Sequence, residues 1–270
     1  MSLKVKDIKD ILETYAPSHL KESYDNVGLM VGDLDNEVTS ILVALDCTLE
    51  VIKEAIEKDC NLIITHHPLL FIKPESITTD TLQGRKIIQL IRNNISLYSS
   101  HTNLDIVEGG LNDIITRILG FNEWIVIESS HKIHEHTYQG IGRLVKLNEP
   151  IKLKELCNKV KSSLAVEQLR YCGSDSMIIN TLAIINGSGE DYIKSAVELG
   201  ADCIITGDTS YHYASDYNEL GVGIIDAGHY ETEWPAMKKI GEVIQNELNV
   251  RGFINKIIIS EKSCSPYKFY

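Results

Sequence analysis

The sequence predicts an α/β protein of two similar, interlocked lobes produced by internal duplication, with a metal site between them at the carboxyl ends of strands. Three observations predict it. Short apolar runs of strand type alternate with amphipathic stretches of helical length along the 270 residues, the pattern of helices packed on sheets. Residues 181–208 (TLAIINGSGEDYIKSAVELGADCIITGD) can be laid over residues 40–67 (SILVALDCTLEVIKEAIEKDCNLIITHH) without a gap, at an offset of 141. Two strand-like runs are each followed by a histidine with an acid four positions later, His101 with Asp105 and His229 with Glu233.

In chain order, a first helix is predicted over 5–15, ending before Pro17. A buried strand follows at 41–45, a helix at 49–58 and a second strand at 62–65, which ends abruptly in His66-His67-Pro68. After a longer loop come a helix near 82–92 and the strand that delivers His101. Two further strands are expected at 125–127 and 141–147, and a helix near 153–163. From residue 181 the strand, helix and strand of the first half recur in phase, with Ile63-Ile64-Thr65 falling on Ile204-Ile205-Thr206. The His-x3-acid pairs are related by a shorter offset of 128, because the second half has the shorter connecting loop. The expected organisation is a first lobe over 1–122, an interlobe segment packed with the lobes over 123–180, and a second lobe over 181–270.

Composition bounds the function. A chain of this length with 43% hydrophobic residues buries a sizeable core. The formal charge of -12, spread along the chain, argues against nucleic acid or an acidic membrane surface as the main partner. Bound divalent cations would supply local positive charge that this count omits and would recruit an anionic substrate. No run has the length of a transmembrane helix and the start lacks the apolar core of a signal peptide, so a cytoplasmic location is expected. Cys47, Cys60, Cys157, Cys172, Cys203 and Cys264 include no CxxC pair and are read as reduced and structural.

Four imidazoles and two carboxylates, His66, His67, His101, Asp105, His229 and Glu233, thus fall at three strand exits. Imidazole suits zinc, iron or manganese, and carboxylates bridge paired cations about 3.5–4 Å apart. A four-residue separation places histidine and acid on one face if a helical turn follows the strand. Any one of these histidines has an ordinary reading as a hydrogen-bonded residue; their recurrence at equivalent strand exits does not, because packing there favours apolar side chains. The repeat is chemically unequal, since His66 and His67 overlie Gly207 and Asp208. Asp208 is read as orienting a ligand or substrate. Asp46 and Asn26 either hold a ligating imidazole by its remaining N–H or cap a helix or turn. Gly187-Ser188-Gly189 lacks the full phosphate-loop pattern and reads as an ordinary strand-to-helix turn. His131, His134 and His136 read as incidental histidines of a solvated turn and are left out of the site.

Five segments together, Tyr24-Asp25-Asn26-Val27-Gly28-Leu29, Ile64-Thr65-His66-His67-Pro68-Leu69, Ser100-His101-Thr102-Asn103-Leu104-Asp105, Gly187-Ser188-Gly189 and Ala227-Gly228-His229-Tyr230-Glu231-Thr232-Glu233, make the chain resemble the dinuclear metal-centre hexameric family, often labelled GTP cyclohydrolase I type 2. The resemblance implies that the six residues named above are ligands of two divalent ions per subunit, and that two α/β lobes assemble into a toroidal homo-hexamer. It also implies a nucleotide substrate, with hydrolytic opening of the guanine imidazole ring at C8 and release of formate. It assigns no general acid; Glu231 and His212 are available near the second-lobe motifs. Two alternatives stand beside this reading, a metal-dependent phosphoesterase and a non-catalytic, metal-binding hexameric scaffold.

Overall fold

Helix α1 (Val5–Tyr15) buries Val5, Ile8, Ile11 and Leu12, a spacing that lines one face of a 3.6-residue period. It stops at Ala16, whose backbone leaves the helical region because the ring of Pro17 disfavours that conformation in the residue before it. This and the following elements come from a computed structural model that describes residues 2–134 and 137–270, and the side chains of all of these except 130–138. His136 therefore lies outside the described residues, and only the backbone is described at His131 and His134.

Next come strands β1 (Gly28–Val31) and β2 (Ile41–Ala44), helix α2 (Leu49–Glu57), strand β3 (Leu62–Thr65), helix α3 (Leu82–Arg92), strand β4 (Ser96–Ser99) and the short helix α4 (Thr102–Ile106). The Thr48 and Thr81 side chains accept from the backbone N–H of Val51 and Gly84, satisfying donors that a helix start leaves without a partner. Strands β2, β3 and β4 run parallel and are buried at every residue. That double-sided burial is why β2 and β3 read as nearly continuous apolar runs rather than alternating ones.

The chain continues through α5 (Leu111–Ile118), the antiparallel pair β5 (Ile125–His134) and β6 (Thr137–Lys152), α6 (Leu153–Leu164), β7 (Arg170–Cys172), β8 (Ile178–Ser188), α7 (Ile193–Glu198), β9 (Cys203–Gly207), α8 (Tyr211–Glu219), β10 (Gly223–Asp226), the long helix α9 (His229–Val250) and β11 (Ile257–Ile259). Two compact units result, Met1–Val107 with Met237–Cys264, and Glu108–Ala236 with Ser265–Tyr270.

The first unit's sheet has the order β1-β4-β3-β2-β11 and the second unit's the order β5-β6-β8-β9-β10-β7. Inside each is the same parallel trio, β2-β3-β4 and β8-β9-β10, with an antiparallel strand beyond its third member, β1 on β4 and β7 on β10. Register follows the repeat: Ile41 pairs with Leu62 and, 141 positions on, Leu182 pairs with Cys203. Outside the trio the sheets differ. The first adds β11 parallel to β2, whereas the second adds β6 antiparallel to β8.

Each unit has its own core. Leu42, Val51, Ile52, Ile63, Leu90 and Leu97 centre the first; Leu153, Leu156, Val160, Leu182, Ile205 and Ile225 centre the second. Full burial of each such side chain contributes roughly 1.5–3 kcal/mol. All six cysteines are free thiols. Burial pushes the thiols of Cys60 and Cys157 up to about 11 and that of Cys47 up to about 12, with Cys203 raised as well. These four are protonated at neutral pH and pack as small apolar side chains, as the sequence suggested.

Buried charge ties down each unit differently. In the second, Arg143 pairs with Asp113 in the interior, with its Nη1 donating to the carbonyls of Gly140 (2.8 Å) and Gly142 (2.9 Å). Asp113 also accepts from the N–H of Gly109 at 2.7 Å. In the first, Glu54 on α2 accepts from Ser260 Oγ (2.5 Å), the N–H groups of Glu261 (2.9 Å) and Lys262 (3.3 Å), and Lys58 Nζ (2.9 Å). The segment after β11 is thereby fastened to α2. Burial raises the Glu54 carboxyl, but hydrogen bonds from Ser260, Lys58 and the two N–H groups outweigh it and leave the group below its ordinary value.

Candidate metal centre

In the first unit the all-apolar strand β3 gives out at Thr65, and the next two residues are His66, which is fully buried, and His67, which is half-buried. Strand β4 delivers His101 one residue beyond Ser100, and α4 begins there, so that the N–H of Asp105 donates to the His101 carbonyl at 3.2 Å. The helical turn on which the His-x3-acid spacing depends is therefore present. It brings Asp105 Oδ2 to 3.7 Å from Nε2 of His66.

The three imidazole rings converge. Their centroids are 5.1 Å apart for His66 and His67, 5.0 Å for His66 and His101, and 5.6 Å for His67 and His101. One ring nitrogen from each lies within 4.8 Å of the others.

The tautomers follow from the partners. His66 Nδ1 lies 2.9 Å from the carbonyl oxygen of Ser100, which only accepts, so Nδ1 carries the proton and Nε2 the lone pair. His67 Nδ1 faces Asp46 Oδ1 at 2.8 Å and His101 Nδ1 faces Asp25 Oδ1 at 2.9 Å, and a carboxylate acts on the ring in the same way. Asp46 therefore serves His67, while Thr48 caps α2. The buried Asp25 accepts further bonds from the N–H of Thr102 (3.1 Å) and its hydroxyl (2.5 Å). Burial alone would raise the Asp25 carboxyl. The hydrogen bonds from His101 and Thr102 reverse this and hold it well below the usual carboxylate range.

In the second unit β10 ends at Asp226, and Ala227 and Gly228 lead into α9, whose first residue is His229. His229 Nδ1 lies 2.8 Å from Asp208 Oδ2, and its Nε2 lies 3.1 Å from Oε2 of Glu233, one helical turn on. Gly187 makes this possible. A Cβ there would stand 2.1 Å from Glu233 Oε1 and 3.4 Å from His229 Nε2, and its φ of +62° lies in the left-handed region. The N–H groups of Gly187 and Gly189 donate to the hydroxyls of Thr232 and Thr206, each at 3.0 Å. The Gly-Ser-Gly turn is thus engaged internally instead of forming a phosphate cradle.

All four histidines have Nδ1 set against an oxygen acceptor, which directs Nε2 as the donor atom, and an acid lies within 3.7 Å of Nε2 in two of them. Such second partners are what orient metal-binding imidazoles. The three-histidine set with Asp105 fits a divalent ion of the zinc, iron or manganese type.

Asp25 had no spacing signal of its own; the sequence reading singled out its neighbour Asn26, whose Nδ2 instead donates to the carbonyl of Leu70 at 2.8 Å. Of the two residues named as available for proton transfer, His212 packs edge-on against Tyr211 with centroids 5.5 Å apart. Glu231 lies against Gly228, where a Cβ would stand 2.1 Å from its carboxylate.

Two parallel-trio α/β units with histidine and carboxylate side chains at their strand exits define the class, an α/β protein whose clustered imidazoles could hold a metal ion. The family model Duf34/NIF3 (NGG1p interacting factor 3) matches residues 3–266, and the chain belongs to this family. It is 52% identical over 269 residues to a GTP cyclohydrolase 1 type 2 homolog of Clostridium acetobutylicum, covering 100% of both chains. It is 52% identical over 267 residues to a protein of the same name from Clostridium perfringens, covering 99% of this chain and 100% of that one. Among solved structures, a hypothetical protein of Staphylococcus aureus superposes with a TM-score of 0.92 at 31% identity, covering 100% of both chains. Reduced HcgD from Methanocaldococcus jannaschii gives a TM-score of 0.80 at 31% identity, covering 97% of this chain and 99% of that one.

Proposed function

We propose that this protein is a dinuclear metal-dependent hydrolase acting on a nucleotide, in the specific form a GTP cyclohydrolase that opens the imidazole ring at C8 and releases formate. The observation that carries the metal reading is the uniform arrangement of the four histidines, each held at Nδ1 by a carbonyl or carboxylate oxygen. The ligands are His66, His67, His101, Asp105, His229 and Glu233. The substrate rests on the names of the relatives that are 52% identical. The reading includes two divalent ions per chain drawn from zinc, iron and manganese, a homo-hexamer and a cytoplasmic location. The formal charge of -12 argues against nucleic acid or an acidic membrane surface as the main partner.

The protein's own residues have definite tasks in this reading. Asp25, Asp46, Asp208 and the Ser100 carbonyl keep the Nδ1 protons in place, which leaves the Nε2 lone pairs to bind a metal ion. Divalent metal supplies Lewis acidity and positive charge for hydrolysis near neutral pH. Asp105 and Glu233 supply negative charge that offsets the ions, and Gly187 leaves the room that Glu233 needs.

The test compares metal-loaded and chelator-stripped protein incubated with GTP, scored for formate and for a fluorescent pterin. Both products are expected from loaded protein and from neither His66→Ala nor Asp105→Ala. Phosphate release from model esters without formate would instead establish a phosphoesterase. Tight metal binding with neither product would leave a metal-stabilised scaffold.

A further inference from the structure

One tripeptide of the first unit does three things at once. Asp25 holds His101 at Nδ1, Asn26 donates to the carbonyl of Leu70, and Tyr24 packs against Phe71 with ring centroids 6.3 Å apart and planes at 72°. Phe71 in turn meets His101 edge-to-face, 6.2 Å between centroids and 89° between planes. Despite these contacts the two aromatics remain open to solvent, Tyr24 by 62% and Phe71 by 48%. Their exposure is maintained by the surrounding bonds. Gln83 Nε2 donates to the carbonyls of Leu69 (2.9 Å) and Ile72 (3.2 Å), so the residues on both sides of Phe71 are fastened while its ring projects. Hydration would favour folding such rings inward. A loop pinned to present an aromatic pair beside a metal-ligating imidazole instead suits a planar ligand, because such rings accept the face of a heterocycle with little reorganisation.

We propose that Tyr24 and Phe71 form a stacking wall beside His101 that receives the planar heteroaromatic ring of the substrate. This rests on the hydrolase reading only for the word substrate; the wall itself is a binding site. Asn26 and Gln83 are positioning residues that keep Phe71 presented.

The test measures binding of guanosine and of ribose 5-phosphate to the full metal-loaded protein by calorimetry, in the wild type, Phe71→Ala, Phe71→Trp and Tyr24→Leu. Metal content and subunit assembly are recorded for each, and KM and kcat with GTP are measured in parallel. Phe71→Ala is expected to raise the Kd for guanosine about 5- to 150-fold, the range for loss of one base–aromatic stack. Phe71→Trp should restore it, Tyr24→Leu should weaken it less, and ribose 5-phosphate should be unaffected. No guanosine binding by the wild type, or a Kd unmoved by Phe71→Ala, overturns the wall. So does a Phe71→Ala variant whose only change is in subunit assembly, because the rings would then be covered by another copy of the chain. Formate release from GTP with a KM insensitive to Phe71→Ala would sink the wall and leave the hydrolase standing. Guanosine held through Phe71 with no product formed would do the reverse.

Discussion

Position 67 in the first unit is a histidine whose ring is held by Asp46, while the equivalent positions of the second unit are Asp208 and Gly187, and there Asp208 holds His229. The two strand exits divide these tasks differently in the two units. In the first unit the exit of the second strand of the parallel trio carries His66 and His67, and the exit of the first carries Asp46, which holds His67, while the Ser100 carbonyl holds His66. In the second unit the exit of the second strand carries the support Asp208, and Gly187, near the end of the first strand, has no side chain, so that Glu233 fits beside it. His101, the counterpart of His229, is supported from elsewhere, by Asp25 ahead of β1.

The difference has a steric origin. Strand pairing places Ser99 beside Thr65 and Asp226 beside Thr206, yet His101 follows Ser99 by two residues and His229 follows Asp226 by three. The additional residue is accommodated at Gly228, with φ +96°. The Gly228–His229 backbone lies over Gly207, where a Cβ would stand 2.5 Å from the His229 nitrogen. A histidine equivalent to His66 has no room there. One inserted residue therefore accounts for the unequal sets of histidines and acids at the ends of two otherwise equivalent trios.

Five substitutions probe this contrast, beginning with the greatest loss. Asp113→Ala leaves Arg143 charged and unpaired in the second unit's interior and is expected to cost about 3–5 kcal/mol. Urea denaturation would measure the loss, and hydrogen exchange should place it in the second unit; equal loss of protection in both units would contradict the separate anchoring described above. Glu54→Gln is the matching test of the first unit, with an expected loss of about 1.5–3 kcal/mol at pH 7, typical of hydrogen bonds to a charged group. Because the folded-state value of Glu54 is lowered, its contribution is present above the ordinary glutamate value of about 4.3 and fades as pH falls through the depressed one. Wild type and Glu54→Gln should therefore converge in stability in acid; a constant gap from pH 7 to pH 2 would rule this out.

Gly187→Ala forces a methyl group against Glu233 and strains a left-handed turn, with an expected cost of about 1–3 kcal/mol. Thermal unfolding would register it, and chelator competition should show weakened metal binding. Unchanged stability and metal affinity in Gly187→Ala would show that Glu233 has another place to sit. The smallest effect is expected from Asp46→Asn and Asp208→Asn, each lowering metal affinity about tenfold or somewhat more by loosening one imidazole. If only one of the two matters in chelator titrations, the supports are not equivalent as their matching 2.8 Å contacts imply.

Much of the scaffold was legible. The predicted spans 5–15, 62–65 and 82–92 coincide with α1, β3 and α3, because the two helices carry apolar residues on a helical period and β3 is a short, nearly continuous apolar run between polar residues. Strands β5 and β6 run well past 125–127 and 141–147. Their outer halves are polar, and cross-strand pairing sustains them where no apolar run announces a strand. The short edge strands β1, β7 and β11 were missed for a similar reason, since three or four residues carry too little pattern.

The duplicated trio and the strand-exit positions of the six candidate ligands were legible along the chain, because a gapless repeat and a His-x3-acid spacing are one-dimensional facts that local geometry converts directly into position. Only the tertiary structure decided which acids hold the imidazoles. Asp25 lies 76 residues from His101 and Asp208 lies 21 from His229, so each contact depends on chain segments brought together by packing. The tertiary structure likewise decided that Gly187 makes room for a carboxylate instead of cradling a phosphate. That distinction depends on what stands 2.1 Å from a missing Cβ, and steric exclusion by distant residues leaves no periodic trace along the chain.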